Sequence, residues 1–389
     1  MDFGRAGSNS FSAASRWSRC SRYAEVRVAI RADAAVHIGS GHVVRCATLA
    51  SELSRRGADV VFFCRDLPGN YIGWLRDAGH AVHVLPAPEG PPPAVPSGGP
   101  AHLSWLGLPL AGELRDMELA LASHAPFDWV VVDHYALDSR WEKAMRRYGA
   151  KIFAIDDLAD RGHDADLLLD QGLPATPDRY RGLIPPACLA LVGPTYALLR
   201  PDFALLRTAV PTRSGDLRRL LVFMGGSDAR NLTRKVIEAL AEAGLGEREM
   251  DVVLGGGSPH AAAVGQACAT LPNCRVHVQT PRMAELMASA DLMIGASGGA
   301  TWERLCLGLP GILIPVAANQ LPVATQVAGR RASIVLNHAF DVDVPGLAAL
   351  LRRLDKHPGL LRRISARASE LVDGLGADRV VTSLLASKL

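Results

Sequence analysis

His42 closes the tetrapeptide Gly39-Ser40-Gly41-His42, which joins the alternating run VRVAIRAD to a segment with helical spacing. A glycine turn that opens a helix frees backbone N–H groups to hold an anion. An imidazole at the same helix start brings proton chemistry instead, and the positive helix end favours its neutral form, a competent base near neutral pH. The loop lacks the Gly-Lys-Ser/Thr of a Walker A turn, and Val44 stands where a dinucleotide fingerprint needs Gly or Ala. Taken alone, such a glycine turn is more often structural; the histidine makes it a catalytic candidate.

Two further glycine turns lie far along the chain. In MGGSDARN, residues 224–231, Gly225 and Gly226 let backbone approach a ligand closely, and Ser227 either caps the following helix or bonds a phosphate oxygen. A diphosphate seat and a plain N-cap both fit this stretch, and Asn231 reads as the helix start. In IGASGGATWERLCLGLPGILIPVAANQ, residues 294–320, a strand runs into Ser297-Gly298-Gly299-Ala300-Thr301 and then a helix, a second phosphate-type nest. Glu303 in the first turn of that helix is stabilised by the dipole but would oppose a bound phosphate, a conflict removed if it grips the two hydroxyls of a ribose. Asn319 and Gln320 follow the next strand, where amides suit sugar or base hydroxyl and carbonyl groups.

The remaining polar residues carry weaker signals. Tyr135 ends the strand VVVDHY, as a site residue or a rim aromatic. Asp133 and His134 are strand neighbours pointing to opposite faces, which argues against a relay between them. Of Asp156 and Asp157, one caps the turn after KIFAI. Arg31 and Asp33 anchor the first glycine loop through a salt bridge or contact the sugar. His163, His260 and His277 lack metal-ligand spacing, so no metal site and no cofactor is expected.

The elements that must position these residues alternate. VRVAI, DVVFFC, AVHVL, DWVVVD and KIFAI are short apolar strands separated by amphipathic stretches such as HVVRCATLASELSRRG. The stretch PAPEGPPPAVPSGGP cannot form a regular element and is expected to be a surface loop. Regularity breaks near 193–218, and a second series begins at RLLVF. The pattern predicts an α/β protein of two Rossmann-like, doubly wound domains facing across a cleft, with ligand at the carboxyl ends of both sets of strands. The expected boundaries are an extension at 1–24, a catalytic, sugar-binding domain at 25–200, a linker at 201–218 and a nucleotide-binding domain at 219–389.

Composition narrows the function classes. With 389 residues, 49% hydrophobic, the chain is long enough for two cores. Forty-two Lys and Arg balance 39 Asp and Glu to a net charge of +3, which argues against a nucleic-acid partner. No apolar run reaches the ~18 residues of a membrane span, so no stable membrane insertion is expected. Seven scattered cysteines, with no C-x-x-C pair, favour neither a disulfide scaffold nor zinc and suggest a reducing cytoplasm. The Ser- and Arg-rich first 24 residues lack an apolar core and are not read as a secretory signal. A monomer is expected.

The C-terminal half resembles the nucleotide-binding domain of GT-B glycosyltransferases, particularly the enzyme that adds N-acetylglucosamine in lipid II synthesis, through GGS and S-G-G-A-T-x-E. Nearly the whole chain from Val26 is similar to the UDP-sugar hydrolase family of pseudaminic acid biosynthesis. RADAAVHIGSGHVVRC, VVVDHYALDSRWE, IDDLADR, LLLDQ, GPTYALLRP and ASGGATWERLCLGLPGILIPVAANQ carry that likeness in order. The resemblance implies metal-independent, inverting hydrolysis of UDP-2,4-diacetamido-2,4,6-trideoxy-β-L-altropyranose, with His42 as the base and Tyr135 contacting sugar or water. Substrate contacts are then expected from Arg31, Asp33, Gly39, Gly41, Gly225, Gly226, Ser227, Ser297, Gly298, Gly299, Thr301, Glu303, Asn319 and Gln320. A GT-B transferase using an acceptor hydroxyl, and a non-catalytic nucleotide-sugar binder, are the competing readings.

Overall fold

The structure, a computed structural model, describes residues 26–386 apart from 91–99, 101, 125, 175, 227 and 337–340. Residues 1–24 and most of the Pro/Gly-rich loop therefore lie outside the described residues. The first sheet comprises β1 (Arg27–Ala32), β2 (Asp59–Arg65), β3 (Ala81–Leu85), β4 (Phe127–Asp133), β5 (Gly149–Ile155), β6 (Leu167–Asp170) and β7 (Leu189–Val192). The second comprises β8 (Arg219–Phe223), β9 (Glu249–Leu254), β10 (Cys274–Val278), β11 (Leu292–Ala296), β12 (Gly311–Ile314) and β13 (Ile334–Val335). The strand orders are β3-β2-β1-β4-β5-β6-β7 and β10-β9-β8-β11-β12-β13, with every pairing parallel. The expected pair of doubly wound domains is what the chain forms.

Strands such as Val130–Val132 and Leu167–Leu169 are continuous apolar runs because helices cover both faces of a parallel sheet. Strand order reverses between β1 and β4 in one domain and between β8 and β11 in the other. Loops leaving those four strands diverge to opposite faces and open a crevice at each switch point. The loop after β1 carries Gly39–His42, β4 ends on Asp133, Gly225–Gly226 follow β8, and Ser297–Gly299 follow β11. Topology thus gathers four short segments, scattered over 260 residues, at two facing sheet edges.

Two expected boundaries are corrected. Part of the linker assigned to 201–218 is the helix Pro201–Ala209, whose Phe203 is buried in the second domain's core with Leu221, Met287 and Leu305. Arg213, just beyond it, is buried and donates to the carbonyls of Ala290, Met287 and Leu307. Prolines and charges in 193–218 disguised this helix of about two and a half turns. The last helix, Gly376–Ala386, is not part of the second domain: Val380, Val381, Leu384 and Leu385 are buried with Val43, Leu49 and Leu53 of the first. Arg56 bonds the Asp378 carbonyl and side chain across the same seam.

Candidate functional site

A cleft of about 850 Å³ runs between the two sheet edges. Gly39, Gly41, His42 and Tyr135 line one wall, and Gly225, Gly226, Ser297, Gly298, Gly299, Glu303, Asn319 and Gln320 line the other. Gly39 adopts φ +83° and Gly225 φ +89°, the left-handed conformation that favours glycine. A Cβ on either would project into open space, so backbone conformation alone demands the glycine there.

On the first wall, His42 lies in the first turn of the helix Gly41–Arg55 and is 7% exposed. Its Nδ1 is 2.6 Å from Oδ1 of Asp133, the fully buried residue that ends β4. Burial resists ionisation of Asp133, but the Arg45 guanidinium and His42 outweigh it and hold the carboxyl well below the usual range. An ionised carboxylate only accepts, so Nδ1 carries the proton and donates. In the neutral ring, Nε2 then keeps its lone pair, which is the tautomer a base requires.

Arg45, one helical turn beyond His42, holds this arrangement. It donates to Asp133 from Nε at 2.6 Å and from Nη2 at 2.7 Å, and to Asp157 from Nη1 at 2.8 Å. Asp157 accepts in turn from the Tyr135 hydroxyl. Burial and the Asp157 carboxylate push the Tyr135 phenol well above its ordinary pKa, so it remains a neutral donor. The Tyr135 ring packs edge-on to His42 with centroids 4.5 Å apart. Arg45, Asp133 and Asp157 form one continuous ion-paired chain behind the His42 ring.

On the second wall, Asp228 at φ +42° accepts from the backbone N–H groups of Leu232 and Thr233 and caps the helix Leu232–Glu242. Ser227, the residue expected to cap or bind phosphate, lies outside the described residues. Asn231 is the residue before that helix, as expected, at φ +52°. The Gln320 Oε1 accepts from the Val316 N–H at 3.1 Å and from the Ser297 hydroxyl at 3.4 Å, tying the ends of β11 and β12 together. Burial raises the Glu303 carboxyl to about 7, against the opposing pull of Arg200.

Three expected contacts are corrected. Arg31 and Asp33 are fully buried beneath the cleft and do not line it. Arg31 is bonded to both oxygens of Asp33, at 2.6 and 2.7 Å, and to Glu113 at 2.7 Å. The salt-bridge half of the expectation is realised, and no donor is left for sugar. Thr301 is 1% exposed and also absent from the lining, because its place in the helix Ala300–Cys306 turns it into the domain interior. His163 sits between Glu142 and Asp156, His260 bonds the Ala229 carbonyl, and His277 pairs with Asp251. Among the described residues no three His, Cys, Asp or Glu side chains gather as a metal-binding group.

Sequence reasoning missed Arg45, the pairing of Asp133 with His42, and Asp157. It also missed Arg179, Arg200 and Arg230, which bring positive charge to the cleft lining. Opposite pointing of Asp133 and His134 was legible: His134 turns away toward Asp33, 3.6 Å distant. What lies on the Asp133 side was not.

Two facing doubly wound domains with glycine turns at their switch points define the GT-B fold. Residues 219–359 match the glycosyltransferase family 28 C-terminal domain. MurG of Acinetobacter baumannii superposes with a TM-score of 0.59 at 18% identity, over 94% of this chain and all of that one, a likeness of fold. The spore coat polysaccharide biosynthesis protein SpsG of Bacillus subtilis is 32% identical over 49% of this chain and 57% of its own length, so the chain spans little more than half of that relative. The UDP-2,4-diacetamido-2,4,6-trideoxy-β-L-altropyranose hydrolase of Campylobacter jejuni is 25% identical over 78% of this chain and 96% of its own. The chain therefore has the GT-B fold, and its second half carries a glycosyltransferase family 28 C-terminal domain.

Proposed function

We propose that the protein hydrolyses a UDP-linked 2,4-diacetamido-2,4,6-trideoxy sugar, UDP-2,4-diacetamido-2,4,6-trideoxy-β-L-altropyranose, to UDP and the free sugar, as a step toward pseudaminic acid. The observation that carries this reading is the His42–Asp133 pair, its proton fixed on Nδ1, in the wall opposite two glycine turns. A water on the far side of the sugar attacks the anomeric carbon while His42 Nε2 takes its proton. The bond from that carbon to the phosphate oxygen breaks, and its electron pair leaves with UDP. One displacement inverts the anomeric centre. UDP is a good leaving group, so a base and a stabilised diphosphate suffice without a carboxylic acid partner.

The backbone N–H groups of Gly225–Gly226 and Gly298–Gly299, with Arg179, Arg200 and Arg230 in the lining, suit the leaving diphosphate. Glu303 suits the ribose hydroxyls, and the amides of Asn319 and Gln320 suit the base or sugar. Tyr135 orients His42 by its ring, since its hydroxyl is held by Asp157.

Incubation with the UDP-sugar and no acceptor tests the reading: UDP and the inverted free sugar appear at enzymatic rates. A release that requires an added acceptor hydroxyl would establish the transferase reading, which the family 28 domain also supports. His42→Asn is expected to lower turnover about 100-fold or more while leaving UDP affinity within about twofold of wild type. Substantial hydrolysis by that variant removes the base assignment.

A further inference from the structure

The first wall presents two hydroxyl groups to the second wall's glycine turn. A Cβ built on Gly226 would lie 3.3 Å from the Ser40 Oγ and 3.9 Å from the Tyr71 hydroxyl. Ser40 precedes the helix Gly41–Arg55 at the N-cap position, yet its side chain makes no capping hydrogen bond. Neither hydroxyl has a hydrogen-bond partner among the described residues, and both residues line the cleft. An N-cap serine ordinarily satisfies a helix N–H, so one directed across a cleft is set for another acceptor.

The two hydroxyls are mounted on one rigid unit. Val36 N–H donates to the Pro68 carbonyl at 3.0 Å, stapling the loop before Ser40 to the loop before Tyr71. Gly69, at φ +80°, packs so tightly that a Cβ would lie 2.9 Å from Val36 Cγ2. Asn70 locks the next turn, its amide donating to Asp66 and to the Leu67 carbonyl and its Oδ1 accepting from the Ile72 N–H. The Tyr71 ring rests against Trp74 and the first domain's core, which fixes where its hydroxyl points.

We propose that Ser40 and Tyr71 donate hydrogen bonds to the phosphate oxygens of a nucleoside diphosphate seated on the Gly225–Gly226 turn. This rests on the reading of the cleft as a UDP-sugar site and adds that the first domain grips the leaving group as well as the sugar. The diphosphate is then the ligand that links the two domains. Bonds from a neutral donor to a charged oxygen strengthen as charge develops on the leaving group, so both residues stabilise bond cleavage.

Calorimetric titration of the full chain with UDP and, separately, with uridine tests the proposal. Ser40→Ala and Tyr71→Phe are each expected to weaken UDP binding about tenfold and to leave uridine binding unchanged. Tyr71→Phe keeps the ring that packs on Trp74, and unchanged uridine affinity reports an intact nucleoside site in either variant. Wild-type affinity for UDP in both variants overturns the proposal and leaves the UDP-sugar reading standing. Equal loss of UDP and uridine also overturns it, because the hydroxyls would then shape the cleft rather than touch phosphate. Wild-type protein that binds neither ligand overturns the UDP-sugar reading and this inference together.

Discussion

At the scale of single residues, Asp133 decides what His42 can do. Without it, the imidazole has no fixed tautomer, and Arg45 loses its closest anionic partner in a buried setting. Asp133→Asn is expected to reduce kcat roughly 10²–10⁴-fold with little change in UDP affinity. It should also destabilise the fold by about 3–5 kcal/mol, because it leaves the Arg45 charge only partly matched. Steady-state kinetics and denaturant melts separate the two effects, and an Asp133→Asn enzyme with near-normal kcat would remove the orienting role. His42 was legible in the sequence because a glycine loop and a helix start flank it locally. Its partner was not: 91 positions separate the two residues, and only the adjacency of β1 and β4 brings them together. Arg45 was visible as a charged helix residue but not as a clamp, since its carboxylates come from the end of β4 and the loop after β5.

At the scale of elements, apolar runs and glycine turns made both sheets readable, because a parallel strand covered on both faces tolerates few other residues. Elements whose partners lie in the other half of the chain were not readable in the same way. Pro201–Ala209 shows only two apolar turns, and nothing near it in sequence reveals that Phe203 enters a distant core. The short helix Ala300–Cys306 carries a further consequence, because burial sets the Glu303 carboxyl at about 7. If the ionised form accepts the ribose hydroxyls, binding below that pH must first release a proton. Uridine, which has no phosphate to titrate, is therefore expected to bind more tightly as pH rises from 6 to 8. Glu303→Gln should bind more weakly and show a flat profile over that range. A flat wild-type profile would separate Glu303 from the ribose.

At the scale of the whole molecule, the closing helix Gly376–Ala386 belongs to the domain that begins the chain. Burying Val380, Val381, Leu384 and Leu385 contributes about 6–12 kcal/mol, comparable with the ~5–15 kcal/mol that holds a typical domain folded. Truncation before Gly376 is expected to leave the first domain unfolded or aggregated, visible as loss of its cooperative thermal transition. A soluble truncated chain with wild-type melting would show that this helix is dispensable.

The same helix means that the backbone passes between the domains twice, and the two passages touch. A Cβ on Gly376 would lie only 2.2 Å from the Ala197 carbonyl oxygen, and Arg379 donates to the Thr195 carbonyl at 2.8 Å. A single tether would let one domain swivel about it, whereas two adjoining tethers behave like a strap hinge. Torsion would shear one against the other, but bending moves them together. Motion is thereby channelled into a single jaw-like coordinate, along which His42 and the glycine turns approach or part without losing alignment.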